Sequence, residues 1–365
     1  MRILLASCLF AILAKSAFGV TVGILGDSIS TGAVAHKAIG FDGPRLDNIV
    51  AGKLLLQPGL DDIKLLKESG FTHASDFASP KRVWFSIREY EGGLSWIGKH
   101  LMMTLSSLFL DVEEYSWGNL VARNMGAKPS KILIAAEDGA RMLAAKRQLD
   151  RILDHTGGLA PDHLFVLFTG NDLCGPTMNF VTSKEAYSEQ LADLIAYYER
   201  SASFEGSQGH VWLMDPIGAL QLTHSKEIQK KVVMAHGKKM TCRELHHLDP
   251  MSVKRAEGVL GFIPQTPAAY CPMLLLNKTE DDKKRLGTLG SKILGYREAI
   301  AEKVASYQKE ASEKKASASP LTLHHVDSTG KIILTADDIA EDCFHLSLKG
   351  QIKMAKSVIS TVSKL

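Results

Sequence analysis

The run Val20-Thr-Val-Gly-Ile-Leu-Gly-Asp-Ser-Ile-Ser30 begins with apolar residues and ends with small and polar ones. Its first half predicts a buried β-strand over Val20–Leu25, and Gly26-Asp27-Ser28 predicts an abrupt end to that strand. Parallel α/β sheets carry reactive groups at the carboxyl ends of their central strands, so Ser28 is a candidate nucleophile. The alternative is an ordinary strand exit, at which Asp27 or Ser28 caps a helix. Partners elsewhere in the chain must decide between these two interpretations.

Short apolar runs alternate with helical patterns through the rest of the chain. Further strands are predicted at Lys131–Ala136, His163–Thr169, His210–Met214 and Leu321–Val326. Helices are predicted at Arg141–Leu153, Ala186–Glu199 and Glu298–Glu313. Nearly continuous apolar strands that alternate with helices indicate a parallel sheet covered on both faces. The sequence therefore predicts an α/β fold, a three-layer α/β/α sandwich.

The composition is that of an ordinary globular protein. The chain has 365 residues, of which 45% are hydrophobic, and a formal net charge of +3. This length suits one large domain or two small ones, and we interpret residues 20–365 as a single domain. No basic stripe with interleaved aromatic residues occurs, so nucleic acid is not expected as a partner.

Two insertions interrupt the alternation, at about residues 41–114 and 241–290. The first contains the apolar stretch His100–Leu110, and long excursions from a compact domain are often lids or substrate-binding loops. In that case the stretch could contact an acyl chain or, transiently, a membrane surface. The alternative is a plain buried helix that adds to the core.

The first 19 residues have the pattern of a secretory signal. Arg2 provides the positive start, Ile3–Leu13 the apolar middle, and Ala17-Phe-Gly19 a small-residue cleavage site. A retained membrane anchor is the alternative, but the apolar run is too short to span a bilayer. We therefore expect cleavage after Gly19 and a secreted or periplasmic protein.

Removal of that signal would also remove Cys8 and leave four cysteines, Cys174, Cys242, Cys271 and Cys343. An even number in an exported protein permits two disulfides, and four cysteines allow three pairings. We favour Cys242 with Cys271, because they bracket one loop-rich stretch, and Cys174 with Cys343. Free buried thiols remain the alternative.

A nucleophilic serine needs a base, a group that orients the base, and donors for the oxyanion. Asp342 lies three residues before His345, and on a helical turn these positions are neighbours. The carboxylate can then hold one imidazole nitrogen and leave the other for Ser28. The alternative is a helix that starts near Leu346 with Asp342 as its cap.

Two other predicted strand ends offer oxyanion donors. Asn171 follows the strand at 163–169 and carries a side-chain amide, and Gly139 follows the strand at 131–136 with an exposed backbone N–H. Both sites also suit ordinary turns. The carboxyl ends of parallel strands meet at one crevice, however, so the serine, the glycine and the asparagine should lie close together.

The sequence resembles the SGNH, or GDSL-type, esterase/lipase family in four blocks. These are Gly26-Asp-Ser-Ile29, with Ile where the family usually has Leu, the segment Ile132–Arg141 around Gly139, Gly170-Asn-Asp172, and Asp342-Cys-Phe-His345. Gly-Asn-Asp-Leu-Cys and Asp-Cys-Phe-His-Leu-Ser look most like the phospholipase B-like branch. The block around Gly139 is the loosest match.

The resemblance implies a flavodoxin-like sheet, with Ser28 as nucleophile, His345 as base and Asp342 as its orienter. The Ser28 N–H, the Gly139 N–H and the Asn171 side chain would form the oxyanion hole. No cofactor or metal is required, and the adjacent pairs His246-His247 and His324-His325 do not share a helical face. Activity should fall below the pKa of His345, ordinarily near 6.5.

Three functions remain open. The first is an exported esterase of acyl lipids, such as a phospholipase or lysophospholipase. The second is a carbohydrate or cell-envelope O-acetyl esterase, which would use the same catalytic residues with a different pocket. The third is a binding module that has kept the fold, although such a module should lack at least one catalytic residue.

Overall fold

The computed structural model describes residues 19–33, 35, 60–71, 113–168, 170–205, 208–235, 237–248, 267, 271–313 and 320–364. Residues 1–18 of the predicted signal, the apolar stretch His100–Leu110, most of the first predicted insertion and the middle of the second lie outside these residues. In the described part, no helix is long and apolar enough to cross a membrane.

Five parallel strands form the central sheet. They are β1 Val22–Gly26, β2 Ile132–Ile134, β3 His163–Leu167, β4 Gly209–Met214 and β7 Leu321–Val326. Their order across the sheet is β2-β1-β3-β4-β7. The order reverses between β1 and β3, which is the topological switch point of a flavodoxin-like sheet and the place where such sheets bind ligands. The predicted α/β fold is confirmed.

Helices cover both faces of this sheet. The helices of the described residues are α1 Ser28–Thr31, α2 Leu60–Glu68, α3 Trp117–Asn124, α4 Ala145–Thr156, α5 Lys184–Ser201, α6 Gln221–His224, α7 Lys226–Lys230, α8 Cys242–His246, α9 Pro272–Leu275, α10 Glu280–Glu313 and α11 Leu348–Val362. On one face α5 packs against α4 and α10, and on the other α3 packs against α11. Strands and helices meet in one large hydrophobic core, as expected for a three-layer sandwich.

All but one of the predicted strands and helices occur with one or both ends shifted. The strand at Leu321–Val326 matches its prediction at both ends. The helix predicted to begin at Glu298 begins at Glu280 instead. Its first turn carries Glu280, Asp281 and Asp282, which favour a helix start through the helix dipole, and the sequence interpretation did not use this signal.

Outside the main sheet, β5 Val232–Ala235 and β6 Lys238–Thr241 form an antiparallel hairpin. With α8, which follows directly, the hairpin has its own small apolar core that includes Cys242 and Cys343. We call residues 226–248 the hairpin unit. It packs beside the segment that contains Asp342 and His345.

Two disulfides are present, but the predicted pairing was wrong. Cys174 pairs with Cys271, and Cys242 pairs with Cys343. Proximity in the sequence suggested Cys242 with Cys271, yet Cys242 begins α8 and Cys271 precedes α9, and the two are bonded to different loops. Each disulfide therefore joins a loop at the carboxyl edge of the sheet to a distant segment.

A close approach between α3 and β1 requires glycine at position 118. A Cβ on Gly118 would lie 2.4 Å from Ile24 Cδ1, so we expect Gly118→Ala to destabilise the protein by about 1–3 kcal/mol through overpacking. Gly287→Ala in α10 is the matched control, because a Cβ there meets no atom within 4 Å. It should stabilise by about 0.4–1 kcal/mol. Denaturant unfolding measures both, and equal effects would contradict the packing argument.

Candidate active site

Ser28 stands at the carboxyl end of β1, as the first residue of the short helix α1. Asp27 caps this helix, because its Oδ1 accepts a hydrogen bond of 3.0 Å from the Ile29 N–H. The strand exit is thus also a helix cap, as one interpretation of the sequence expected. The cap directs Ser28 into a cleft, where it is 7% exposed.

Two buried glutamines hold the junction between β1 and α1 in place. Gln148 of α4 donates to the Gly26 carbonyl and accepts from the Gly26 N–H, each at 2.8 Å. Gln351 of α11 donates to the Ile29 carbonyl at 3.0 Å. The sequence interpretation missed both residues. An amide inside the predicted apolar helix Arg141–Leu153 was the available signal for Gln148, because a buried amide must find partners.

Position 26 itself has no room for a side chain. A Cβ on Gly26 would lie 2.3 Å from Ser30 Oγ and 2.5 Å from the Leu167 carbonyl oxygen. Glycine therefore allows β1, α1 and β3 to meet closely beside Ser28.

His345 and Asp342 complete a chain of hydrogen bonds that reaches Ser28. His345 Nε2 lies 2.9 Å from Ser28 Oγ, and His345 Nδ1 lies 2.5 Å from Asp342 Oδ2. The second oxygen of Asp342 accepts the N–H groups of Phe344 and His345, each at 3.0 Å. The carboxylate thus fixes both its own orientation and that of the imidazole.

The Asp342–His345 segment is not a helical turn, which was the expected geometry. It is the tip of a loop closed by the bridge between Ile339 and Leu346, and the following helix α11 is capped by Ser347. Asp342 is therefore not the cap of that helix. Cys343 adopts a left-handed backbone with φ of +59°, which reverses the chain and returns His345 to its aspartate.

Charge pairing sets the protonation of this dyad. Burial alone would lower the pKa of His345, but the negative charge of Asp342 and the hydrogen bond to it outweigh burial and raise that pKa above its ordinary value. Burial raises the pKa of Asp342, whereas the charge and hydrogen bond of His345 and the two backbone N–H groups lower it more, so the net shift is downward. Asp342 is therefore an anion that stabilises the imidazolium.

The two predicted oxyanion donors occupy different positions. Asn171 lines the same cleft as Ser28 and His345, and the Gly170 N–H beside it donates to Asp27 Oδ2 at 3.3 Å. Gly139 is not among the cleft-lining residues. It lies in the turn after β2, closed by the hydrogen bond from the Ala140 N–H to the Glu137 carbonyl at 3.1 Å.

Other contacts tie the Gly139 turn to the junction between β1 and α1. The Glu137 N–H donates to the Gly26 carbonyl at 3.1 Å, and Thr31 Oγ1 donates to Asp138 at 3.0 Å. Gly139 has a φ of +73° and its N–H has no acceptor among the described residues. Within the described part of the chain, this N–H is therefore available as a donor in a loop that is held against α1.

Asp172 anchors the Asn171 loop through hydrogen bonds, a role that the sequence interpretation did not assign. Its carboxylate, which is fully buried, accepts from the Met142 N–H at 3.0 Å and from Thr182 Oγ1 at 2.7 Å. Burial raises the pKa of Asp172 to about 6 despite these hydrogen bonds. The loop that carries Asn171 is anchored in this way to the segment that follows Gly139.

The cleft beyond the Ser28 hydroxyl is apolar. Its walls include Ile217, Leu222, Leu274, Leu334, Ile339 and Leu346. Phe344 also lines it and packs edge-on against the His345 ring, with centroids 4.9 Å apart. Leu274 belongs to α9, which the Cys174–Cys271 disulfide ties to the Asn171 loop. These wall residues come from distant segments, so no local pattern in the sequence indicated them.

A serine hydrogen-bonded to a histidine that a buried aspartate holds, at the carboxyl edge of a parallel sheet, is the arrangement that serine hydrolases use. The model of the GDSL-like lipase/acylhydrolase family matches residues 22–358. The chain therefore belongs to that family, as its motifs indicated, and it is a carboxylic ester hydrolase. Comparison with curated proteins found no match.

Among the described residues, no group of three or more His, Cys, Asp or Glu side chains could hold a metal ion. His345 and Asp342 are instead joined to Ser28 by hydrogen bonds.

Proposed function

We propose that this protein is an exported serine esterase that hydrolyses acyl lipids, with phospholipase or lysophospholipase activity. The apolar cleft carries the proposal, because its walls begin directly at the reactive groups. Phe344 contacts the His345 ring, and the leucine and isoleucine side chains extend from there. An acyl chain gains about 0.8 kcal/mol for each buried CH₂ group, so such a cleft favours acyl groups longer than acetyl.

In this proposal Ser28 Oγ attacks the ester carbonyl carbon while His345 Nε2 takes the hydroxyl proton. The carbonyl oxygen becomes an oxyanion that accepts hydrogen bonds from the Ser28 N–H, the Gly139 N–H and the Asn171 side chain. His345 then gives its proton to the leaving alcohol, and the acyl group stays on Ser28. Water, deprotonated by His345, releases the acid and restores the serine.

Placement in the phospholipase B-like branch rests on two motifs that each contain a cysteine. Gly-Asn-Asp-Leu-Cys ends at Cys174 and Asp-Cys-Phe-His contains Cys343. Both cysteines are disulfide-bonded, which suits an oxidising compartment and supports the proposed export. The signal at residues 1–19 remains part of this proposal.

An acyl-chain series on p-nitrophenyl esters, from acetyl to decanoyl, tests the substrate class. We expect kcat/KM to rise with chain length, and Leu334→Ser, which places a hydroxyl in the cleft wall, to reduce the rate for decanoyl esters more than for acetyl esters. Leu143→Ser is the matched control, because Leu143 is 73% exposed and does not line the cleft. Activity confined to acetyl esters would favour the carbohydrate or envelope esterase instead.

The pH profile should report the raised pKa of His345. Only the neutral imidazole can accept the serine proton, so kcat/KM should fall as the pH drops through a pKa above 6.5. Asp342→Asn removes the charge that raises this pKa, so the acid limb should move to lower pH while the maximal rate falls. Rate measurements from pH 5 to 9 check both, and an unshifted limb in Asp342→Asn would contradict the pairing.

Loss of the Asn171 amide should destabilise the transition state more than it weakens substrate binding. We expect Asn171→Ala to lower kcat about 10²- to 10³-fold with little change in KM, as for removal of one oxyanion donor. Asn171→Asp is the matched control of nearly equal volume. It replaces the donor with an acceptor, so its loss should be at least as large. Steady-state kinetics decide, and an unchanged kcat in either variant would remove Asn171 from the proposed oxyanion hole.

A further inference from the structure

His246 is the one fully buried histidine among the described residues, with 0% exposure. It is the last residue of α8, in the hairpin unit, and it does not line the cleft. A buried imidazole costs free energy unless both ring nitrogens have partners. Its two partners define what this residue can do.

The hydrogen bonds of His246 fix its tautomer. Gln229 Nε2 lies 3.0 Å from His246 Nδ1, and His246 Nε2 lies 2.8 Å from the carbonyl oxygen of Cys343. The Gln229 amide nitrogen also donates to the Leu222 carbonyl at 2.5 Å, which sets the orientation of the amide. Nδ1 must therefore accept, so Nε2 carries the hydrogen and donates it to Cys343.

The backbone conformation of Cys343 affects the geometry of the dyad, because Cys343 lies between Asp342 and His345 and has a left-handed backbone. A residue with a Cβ keeps this conformation only when its surroundings hold it. Two restraints from α8 do so, the disulfide to Cys242 at the start of the helix and the His246 hydrogen bond at its end. A rotation of the Cys343 peptide would displace the N–H groups that orient the Asp342 carboxylate.

We infer that His246 is a positioning residue that holds the Asp342–His345 turn in its reactive geometry. This inference rests on the proposed roles of Ser28, His345 and Asp342. The hydrogen-bonded chain from the Leu222 carbonyl through Gln229 and His246 to Cys343 ties the cleft wall to the dyad. His246 itself touches neither Ser28 nor the substrate cleft.

His246→Leu and His246→Gln form the test pair. Leucine fills similar space without a donor, whereas the glutamine amide can place its nitrogen near the position of His246 Nε2 and its oxygen toward Gln229. For each protein we would measure the pKa of His345 from its imidazole NMR signals. We would also measure kcat and KM for a decanoyl ester, normalised to sites titrated with an organophosphonate.

In His246→Leu we expect a lower pKa for His345, because Asp342 no longer holds the imidazole as closely. We also expect kcat per titrated site to fall about 10- to 100-fold, as for a displaced catalytic group. KM should change less, and His246→Gln should recover most of both properties. A purely structural role would reduce the number of titrated sites but leave the pKa of His345 and the kcat per site unchanged, which would overturn the inference.

Gln229→Met provides a second variant in case His246→Leu does not fold. It removes the donor to His246 Nδ1 while keeping the side-chain length, and it should shift the pKa of His345 in the same direction by a smaller amount. An unchanged pKa in every folded variant would also overturn the inference. The NMR titration needs no turnover, so absence of hydrolysis by the wild-type protein would contradict the proposed function alone.

Discussion

Ser28→Ala should reduce ester hydrolysis about 10⁴- to 10⁶-fold, with little change in the free energy of unfolding. The hydroxyl is the group that His345 Nε2 meets at 2.9 Å, and no other described serine hydroxyl is hydrogen-bonded to the dyad. In the proposed mechanism no acyl-enzyme can form without it, so water must attack the ester with the help of the proposed oxyanion donors alone. Initial rates and labelling by a fluorophosphonate both measure the loss.

Ser30→Ala is the matched control for this prediction. Ser30 lies in the same short helix, is fully buried, and its hydroxyl has no hydrogen-bond partner in the part of the chain that the structure describes. The variant should therefore keep its activity and be as stable as the wild type or slightly more stable, since an unpaired buried hydroxyl costs free energy. Equal losses in the two variants would mean that disturbance of α1, rather than loss of the nucleophile, causes the effect.

Removal of the Cys242–Cys343 disulfide should destabilise the protein by about 4–5 kcal/mol, as loop-closure entropy predicts for a separation of 101 residues. The double variant Cys242→Ala/Cys343→Ala tests this, because both half-cystines are fully buried and a reductant would have to open the core to reach them. Denaturant unfolding measures the loss. A loss in the free energy of unfolding below about 1 kcal/mol would contradict the explanation that this disulfide acts by restricting the unfolded chain.

The Cys174–Cys271 disulfide supplies the control, because its separation of 97 residues gives nearly the same loop entropy. The two double variants should thus lose similar stability and differ in their kinetics. Cys343 lies between Asp342 and His345, so its variant should shift the acid limb of the pH profile. Cys174 follows the Asn171 loop, so its variant should lower kcat without that shift.

Much of the fold was predictable because its signals are local. A short run of strand-forming residues bounded by residues that break a strand predicts its own ends, and β7, which lies between Pro320 and Asp327, was predicted to the residue for this reason. The start of α10 was missed although Leu286, Leu289 and Ile293 have helical spacing, because the glycines among them lower the helix propensity of this half.

The candidate site likewise combines residues that local sequence signals indicate with features that depend on tertiary packing. Ser28 and Asn171 could be placed in one cleft from the sequence because each follows a strand, and parallel strands end at one edge. Asp342 and His345 were paired by their spacing, although a loop with a left-handed Cys343 brings them together rather than a helical turn. The disulfide pairing was wrong because it depends on which loops pack together, and sequence distance does not report that.

The sequence by itself determined the class of fold, the nucleophile candidate and its chemical partners, because these depend on residue type and short-range order. Only the tertiary structure decided how they are held. Gln148, Gln351 and His246 act on backbone groups more than 90 residues away in the chain. The apolar walls of the cleft likewise meet only after the sheet, α9 and the segment before α11 have packed. Tertiary packing, which no local pattern encodes, thus defines the pocket beside Ser28.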